Sequence, residues 1–186
     1  MISLESLFSR QPAPLLGIDI SSSSVKLVEL GRDKAGALVL ERCAIEPLER
    51  GWITDGNIEK FDEVAEALRR LVKKSGTRTK NVALALPPSA VITKRISLPG
   101  GMSDQELEVQ VESEANQYIP FSLEEVSLDF CVIGPNKNSP GDVDVLIAAS
   151  RREKVQDREG LAEAAGLKAV IVDIESNAAR LAAGRV

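Results

Sequence analysis

Residues 15–29 read Leu-Leu-Gly-Ile-Asp-Ile-Ser-Ser-Ser-Ser-Val-Lys-Leu-Val-Glu, two apolar runs on either side of four consecutive serines. Serine favours tight turns and the flanking runs have the composition of β-strands, so this stretch predicts a β-hairpin with a polar tip. Asp19 precedes the turn and Lys26 follows it. The predicted hairpin therefore carries one carboxylate and one ammonium group beside its serines.

These groups suit a small anionic ligand. Backbone N–H groups and serine hydroxyls can donate to phosphate oxygens, Lys26 can neutralise their charge, and Asp19 can hold a hydrated magnesium ion. The same residues also fit an ordinary solvated β-turn with Lys26 facing water, because serine favours turns without any ligand. From the residues alone, both interpretations stand.

The elements around the hairpin predict an α/β protein. A meander of three antiparallel strands is predicted at residues 15–20, 25–31 and 37–44. Apolar residues at helical spacing from Phe61 onward predict a helix that ends near Gly76. The apolar run 81–86 predicts a strand buried on both faces, ended by two prolines.

The second half continues with alternating elements. Strands are predicted at residues 91–98, 126–133, 143–149 and 168–174, the last of them buried. Ser103 and Glu106 have the spacing of a capping box, and the helix that they open must end before Pro120. The loop 134–141 is either a hairpin tip or a contact site. Because another helix begins at Glu175, the chain is expected to be one half of a larger protein.

Composition argues against several classes of function. A net charge of −5 and 3% aromatic residues do not suit a nucleic-acid surface. The absence of histidine rules out a histidine-based catalytic triad and a Cys/His zinc site. Cys43 and Cys131 are expected to lie reduced in the core. No apolar run approaches the roughly 20 residues of a membrane span, so a cytoplasmic chain with a flexible segment at residues 1–13 is expected.

Two motifs carry a family resemblance. Residues 17–26 resemble the first phosphate-binding motif of actin-like ATPases. Residues 114–121, Glu-Ala-Asn-Gln-Tyr-Ile-Pro-Phe, resemble the signature of the PilM family of type IV pilus assembly proteins, together with the strand segment 128–130. The resemblance extends from about Leu15 to the last residue.

The resemblance implies an actin-like ATPase (ribonuclease H-like) first lobe with an FtsA-like small αβ insertion subdomain. The core subdomain would comprise residues 14–90 and 170–186, and the insertion residues 91–169. The second lobe of that fold is absent from this sequence. Nucleotide binding by this chain is therefore expected to be weak or absent.

The resemblance also implies a site for ATP or ADP with magnesium. Asp19 would act on the metal through water, Ser21, Ser22 and Ser23 would donate to the β- and γ-phosphates, and Lys26 would lie against their charge. Many actin-like hairpins have glycine and threonine in place of Ser21 and Ser22, so a backbone approach that needs glycine would be restricted here. No catalytic residue is predicted, and the full-length protein is expected to have at most weak ATPase activity.

For partners, the resemblance implies a scaffold on the cytoplasmic side of the inner membrane, in type IV pilus biogenesis and twitching motility. It would bind the N-terminal tail of PilN in a groove between core and insertion, and through PilN reach PilO, PilP and the secretin PilQ, with pilus motor ATPases as further contacts. The residues expected to line the groove are Ala83, Ala85, Leu86, Ile96, Tyr118, Ile119, Pro120 and Phe121. Tyr118 and Phe121 equally fit closure of the insertion's own core.

Two alternatives belong to other classes of function. One is an FtsA-like actin homologue that hydrolyses ATP or polymerises, which would need the second lobe. The other is a cytoplasmic scaffold of a type II secretion system, whose cytoplasmic domain shares this fold. Filament formation or substantial phosphate release would favour the first, and a long apolar span after the second lobe would favour the other.

Overall fold

A computed structural model of the chain describes residues 14–184, and the segment 1–13 predicted to be flexible lies outside them. The elements in chain order are β1 (Leu16–Ile20), β2 (Ser24–Arg32), β3 (Leu38–Pro47), β4 (Ile53–Thr54), β5 (Asn57–Ile58), α1 (Phe61–Ser75), β6 (Asn81–Leu86), β7 (Val91–Pro99), α2 (Asp104–Tyr118), β8 (Val126–Pro135), β9 (Asp142–Arg151), α3 (Arg152–Ala164), β10 (Lys168–Ile174) and α4 (Glu175–Ala183). No helix within residues 14–184 is both long and apolar enough to cross a bilayer.

The described residues divide into two compact units, of which the first comprises residues 14–85 and Glu159–Asp173. Its five-stranded sheet has the order β10-β6-β1-β2-β3. β1, β2 and β3 form the predicted antiparallel meander, and β6 pairs with β1 in parallel. This order places β1 at the centre of the sheet, so the hairpin that joins β1 to β2 has support on both sides.

One face of this sheet packs against α1 and the second half of α3. Residues alternate along β1, so that Leu16, Ile18 and Ile20 point into a common core. The helices contribute Val64, Leu68, Leu71, Leu161 and Ala162 to that core. α1 ends at Gly76, whose φ of 66° is a left-handed conformation that glycine adopts without steric cost.

The second unit comprises Leu86–Arg158 and residues 174–184. Its antiparallel sheet has the order β7-β9-β8. Of the loop predicted at 134–141, residues 136–141 form the tip of the β8–β9 hairpin, because Gly134 and Pro135 belong to β8. α2 begins with the predicted capping box at Ser103. Leu107, Val111 and Ala115 of α2 are buried against this sheet.

Burial differs from expectation at several strands. β6 alternates between half-buried and buried residues, and β10 is largely exposed or half-buried, because the core described above lies on one face of the sheet. The prediction that both cysteines lie in the core was wrong, since both are exposed. Cys43 pairs with Val28 on the face away from α1, and Cys131 pairs with Leu146 on the face away from α2.

The first unit ends at Ala85 and resumes at Glu159. The second half of α3 belongs to the first unit, because Leu161, Ala162 and Ala165 are part of its core. α4, by contrast, groups with the second unit. The short β4–β5 ribbon was not predicted, because two residues per strand are too few for alternation to show.

Candidate functional site

The serine hairpin brings an acid and a lysine into direct contact. Asp19 and Lys26 are opposite each other in the β1–β2 register, and Lys26 Nζ lies 2.6 Å from Asp19 Oδ2. The same ammonium group lies 3.3 Å from Ser21 Oγ. Ser21 closes the turn, because its amide and hydroxyl both donate to the carbonyl oxygen of Ser24, at 3.1 and 2.9 Å. Asp19, Ser21 and Lys26 therefore form one polar cluster.

Ser22 and Ser23 form the exposed tip. The carbonyl oxygen of Ser23 accepts from the amide of Leu48 at 2.9 Å, which fixes the tip against the chain that follows β3. Within residues 14–184, neither the amides nor the hydroxyls of these two serines donate a hydrogen bond. The only non-glycine residue with positive φ in this part of the chain is Asp55, so the tip has a conformation that serine adopts without strain.

The donor set fits the phosphates of a nucleotide with magnesium. The Asp19 and Lys26 side chains are 48% and 43% exposed, so a ligand can reach both. Magnesium keeps most of its water and needs only one or two carboxylates, which a single aspartate satisfies. Among the described residues, no group of three or more histidines, cysteines and acids is placed to hold a metal ion. A hydrated ion at Asp19 is thus the form of metal that these residues fit.

The residues predicted for the partner groove have unequal exposure. Ala83 and Ala85 belong to the first unit and are half-buried, on the face of β6 away from α1. The other six belong to the second unit. Of these, Leu86, Ile96 and Ile119 are buried, the last two within hydrophobic clusters, so their side chains offer little surface.

Two cations lie over the aromatic rings at the end of α2. Tyr118 is 44% exposed, and Lys94 Nζ lies 4.5 Å from the centre of its ring. Arg151 lies 4.1 Å from the centre of the Phe121 ring, at a distance typical of cation–π contacts. Phe121 also packs against a buried cluster, as one of the two interpretations expected, whereas Pro120 is exposed. We call Lys94, Tyr118, Pro120, Phe121 and Arg151 the aromatic patch.

The two cations were not predicted, although their positions carry a signal. Lys94 stands between Ile92 and Ile96 on the face of β7 that packs against α2, a position that usually holds an apolar residue. Arg151 continues the inward alternation of Ile147 and Ala149 along β9. Both cations are exposed, so they lie at the rim of the core, where an aromatic ring is a favourable contact for a cation.

The acidic face of α2 has a structural role at its first turn. The backbone N–H and the hydroxyl of Ser103 both donate to the Glu106 carboxylate, each at 2.8 Å. These bonds hold the pKa of Glu106 below its ordinary value, the backbone bond having the larger effect. Farther along the helix, Glu108 and Glu112 are exposed and Glu114 is half-buried.

Comparison with known proteins is consistent with this geometry. A sequence profile of the family described as type IV pilus assembly protein PilM matches residues 17–186. A solved PilM–PilN type IV pilus biogenesis complex contains a chain that is 33% identical, with a TM-score of 0.78, over 94% of this chain and 52% of that one. This chain thus spans about half the length of the solved chain that it matches.

A second solved structure shows the same fold at low identity. The cytoplasmic domain of EpsL, an inner-membrane component of the type II secretion system of Vibrio cholerae, is 16% identical with a TM-score of 0.53. The match covers 87% of this chain and 57% of the EpsL domain. The predicted actin-like α/β fold is confirmed by these neighbours.

Proposed function

This chain belongs to the PilM family of type IV pilus assembly proteins, and from that premise we propose that it is part of a nucleotide-binding scaffold that holds the N-terminal cytoplasmic tail of PilN. The scaffold would lie in the cytoplasm, peripheral to the inner membrane through PilN. PilO, PilP, PilQ and the pilus motor ATPases would be reached indirectly. The observation that carries the proposal is the 33% identity, over 94% of this chain, to a chain of a PilM–PilN complex.

The aromatic patch is the surface of the second unit that we propose for the tail. Tyr118 and Pro120 are exposed, and both are rigid side chains that offer contact area at a small entropic cost. Lys94 and Arg151 can interact with backbone carbonyls or acidic side chains of an extended segment while staying over their rings. Such a segment would bind by apolar contacts with the patch and by polar contacts at its rim.

The tail-binding proposal is tested by titrating a fluorescent peptide of the cognate PilN tail with the full-length protein. Tyr118→Ser should weaken binding about tenfold or more, because removing a central aromatic residue of an interface typically costs over 1 kcal/mol. Val109→Ser is the matched control: Val109 is 68% exposed on the same helix and lies outside the patch, so its variant should bind within about twofold of wild type. Equal affinity of the Tyr118→Ser variant would remove the patch from the site.

The nucleotide proposal rests on the serine hairpin. Asp19 would hold hydrated magnesium, the tip serines would donate to the phosphates, and Lys26 would neutralise their charge. Calorimetry of the full-length protein with ADP and magnesium should show weaker binding by Lys26→Ala, with an unchanged fold because the side chain is half-exposed. Unchanged affinity would exclude Lys26, and sustained phosphate release or filaments would support an FtsA-like enzyme instead of a scaffold.

A further inference from the structure

The Lys26 ammonium group occupies the place where a cation at this hairpin would be held. It lies 2.6 Å from Asp19 Oδ2 and 3.3 Å from Ser21 Oγ, so it contacts both of the oxygens that face it from β1 and the turn. Within residues 14–184, Asp19 and Lys26 have no ion-pair partner other than each other. The lysine is therefore the counter-ion that the chain itself supplies to Asp19.

We propose that a divalent cation and Lys26 exchange places on Asp19, and that this exchange makes the metal and the phosphate favour each other's binding. The proposal rests on the nucleotide site described above and adds how that site is controlled. Phosphate would draw the ammonium group away from Asp19, and the metal would take over the carboxylate. One internal ion pair would thus be replaced by two pairs with the ligands.

Each ligand alone meets an obstacle that the other removes. A metal ion that binds alone displaces Lys26, whose charge then remains nearby without a partner. Phosphate that binds alone takes Lys26 and leaves the Asp19 carboxylate close to another negative charge. When both bind, each charge has a partner, and linkage requires that the effect of metal on phosphate equals that of phosphate on metal.

The geometry allows the exchange at small cost. The β1–β2 register holds the two backbones opposite each other, while the lysine side chain reaches Asp19 through a flexible four-carbon stem. Both side chains are about half exposed, and exposed ion pairs are weak, so the pair can open when a better partner is present.

The experiment measures each ligand without the other, on the full-length protein. Mn²⁺ binding without nucleotide is followed by electron paramagnetic resonance of the free ion, and ADP binding in EDTA by calorimetry. Lys26→Met should raise the affinity for Mn²⁺ alone about three- to fivefold, and Asp19→Asn should raise the affinity for metal-free ADP by a similar factor, as expected for loss of one exposed competing pair. Both variants should weaken binding of the Mn²⁺–ADP complex.

Two controls each remove one charge elsewhere on the β2–β3 hairpin. Lys34→Met removes a positive charge, as Lys26→Met does, and Glu41→Gln removes a negative charge, as Asp19→Asn does. Lys34 and Glu41 are exposed and have no ion-pair partner among the described residues. Lys34→Met and Glu41→Gln should leave all three affinities within about twofold of wild type, because exposed charges beyond a Debye length are largely screened. Changes as large as those of the hairpin variants would overturn the proposal, since net charge alone would explain them.

The outcomes separate this inference from the proposed function. Unchanged Mn²⁺ affinity in Lys26→Met, or unchanged metal-free ADP affinity in Asp19→Asn while wild type binds ADP, overturns the exchange. If the wild-type protein binds no ADP under any condition, the proposed nucleotide function fails. In that case a rise in Mn²⁺ affinity for Lys26→Met still supports occupancy of Asp19 by Lys26, and an unchanged value overturns it.

Discussion

Replacing Glu29 should destabilise the first unit more than any exposed charge does. The Glu29 side chain is 7% exposed. Its carboxylate accepts hydrogen bonds from the hydroxyl of Thr77 at 2.9 Å and from that of Thr79 at 2.6 Å. Arg42 Nε lies 3.1 Å from the same group. These contacts tie the segment between α1 and β6 to β2.

The magnitude follows from the kind of contact. A hydrogen bond to a charged group contributes about 1.5 kcal/mol or more, so the two threonine bonds contribute about 3 kcal/mol. The pair with Arg42 is half-exposed on the arginine side and adds about 0–1 kcal/mol. The two threonines are only half-buried, so water recovers part of the loss. Glu29→Ala should therefore lower the free energy of unfolding by about 2–4 kcal/mol, and Glu29→Gln, which keeps an acceptor, by less.

Trp52 provides a specific assay. It is the only tryptophan and packs against the core of the first unit, so its fluorescence in a urea titration reports the unfolding of that unit. Glu41→Gln, an exposed change on the neighbouring strand β3, should stay within about 0.5 kcal/mol of wild type. A double-mutant cycle should show that Thr79→Val costs less when Glu29 is already alanine. If Glu29→Ala matched wild type, or if the cycle were additive, the anchoring role of Glu29 would be refuted.

Three further changes test packing, backbone and pH in turn. Leu68→Ala, which removes a side chain buried in the first core, should cost about 2–5 kcal/mol in the same fluorescence titration. Gly100→Ala would place its Cβ 2.7 Å from the carbonyl oxygen of Gly141, and should cost about 1–3 kcal/mol and speed hydrogen exchange in β7 and β9. Ser103→Ala removes one of the donors that lower the pKa of Glu106, so a carboxyl ¹³C titration should show that pKa rising part of the way to its ordinary value. Because the folded-state pKa is depressed, the stabilisation from Glu106 is present above its ordinary pKa and is lost as pH falls through the folded value, a dependence that Ser103→Ala should reduce.

The sequence predicted the helices and strands well where each was long enough for its hydrophobic repeat to be recognised. β6 and β10 have the bounds that their apolar runs predicted, and α2 begins at its capping box and ends before the proline. Burial was harder, because the same run of alanine, valine and leucine suits a strand covered on one face or on two. Which face α1 and α3 cover depends on contacts between residues about 100 positions apart, such as Arg69 Nε with the carbonyl oxygen of Ala164.

The aromatic patch shows the same limit. By their residue types alone, Tyr118 and Phe121 of the segment 118–121 fit either a partner-binding surface or a core. The structure separates them, since Phe121 packs against a buried cluster and Tyr118 is exposed. The cations that lie over these rings come from β7 and from the end of β9. The sequence pattern of one element does not show which side chains of another element contact it.

The contact between Asp19 and Lys26, by contrast, follows from the number of residues between them. Residues that pair across a two-residue tip are always an odd number of positions apart, and Asp19 and Lys26 are seven apart, so a tip at Ser22 and Ser23 must place them opposite each other. Opposite residues share a face, which is why the lysine reaches the carboxylate rather than the core. If the two-residue tip were kept, one more serine in the run would make the separation even and turn the lysine to the other face. With a two-residue tip, the length of the serine run therefore decides whether this lysine lies beside Asp19, before any ligand is considered.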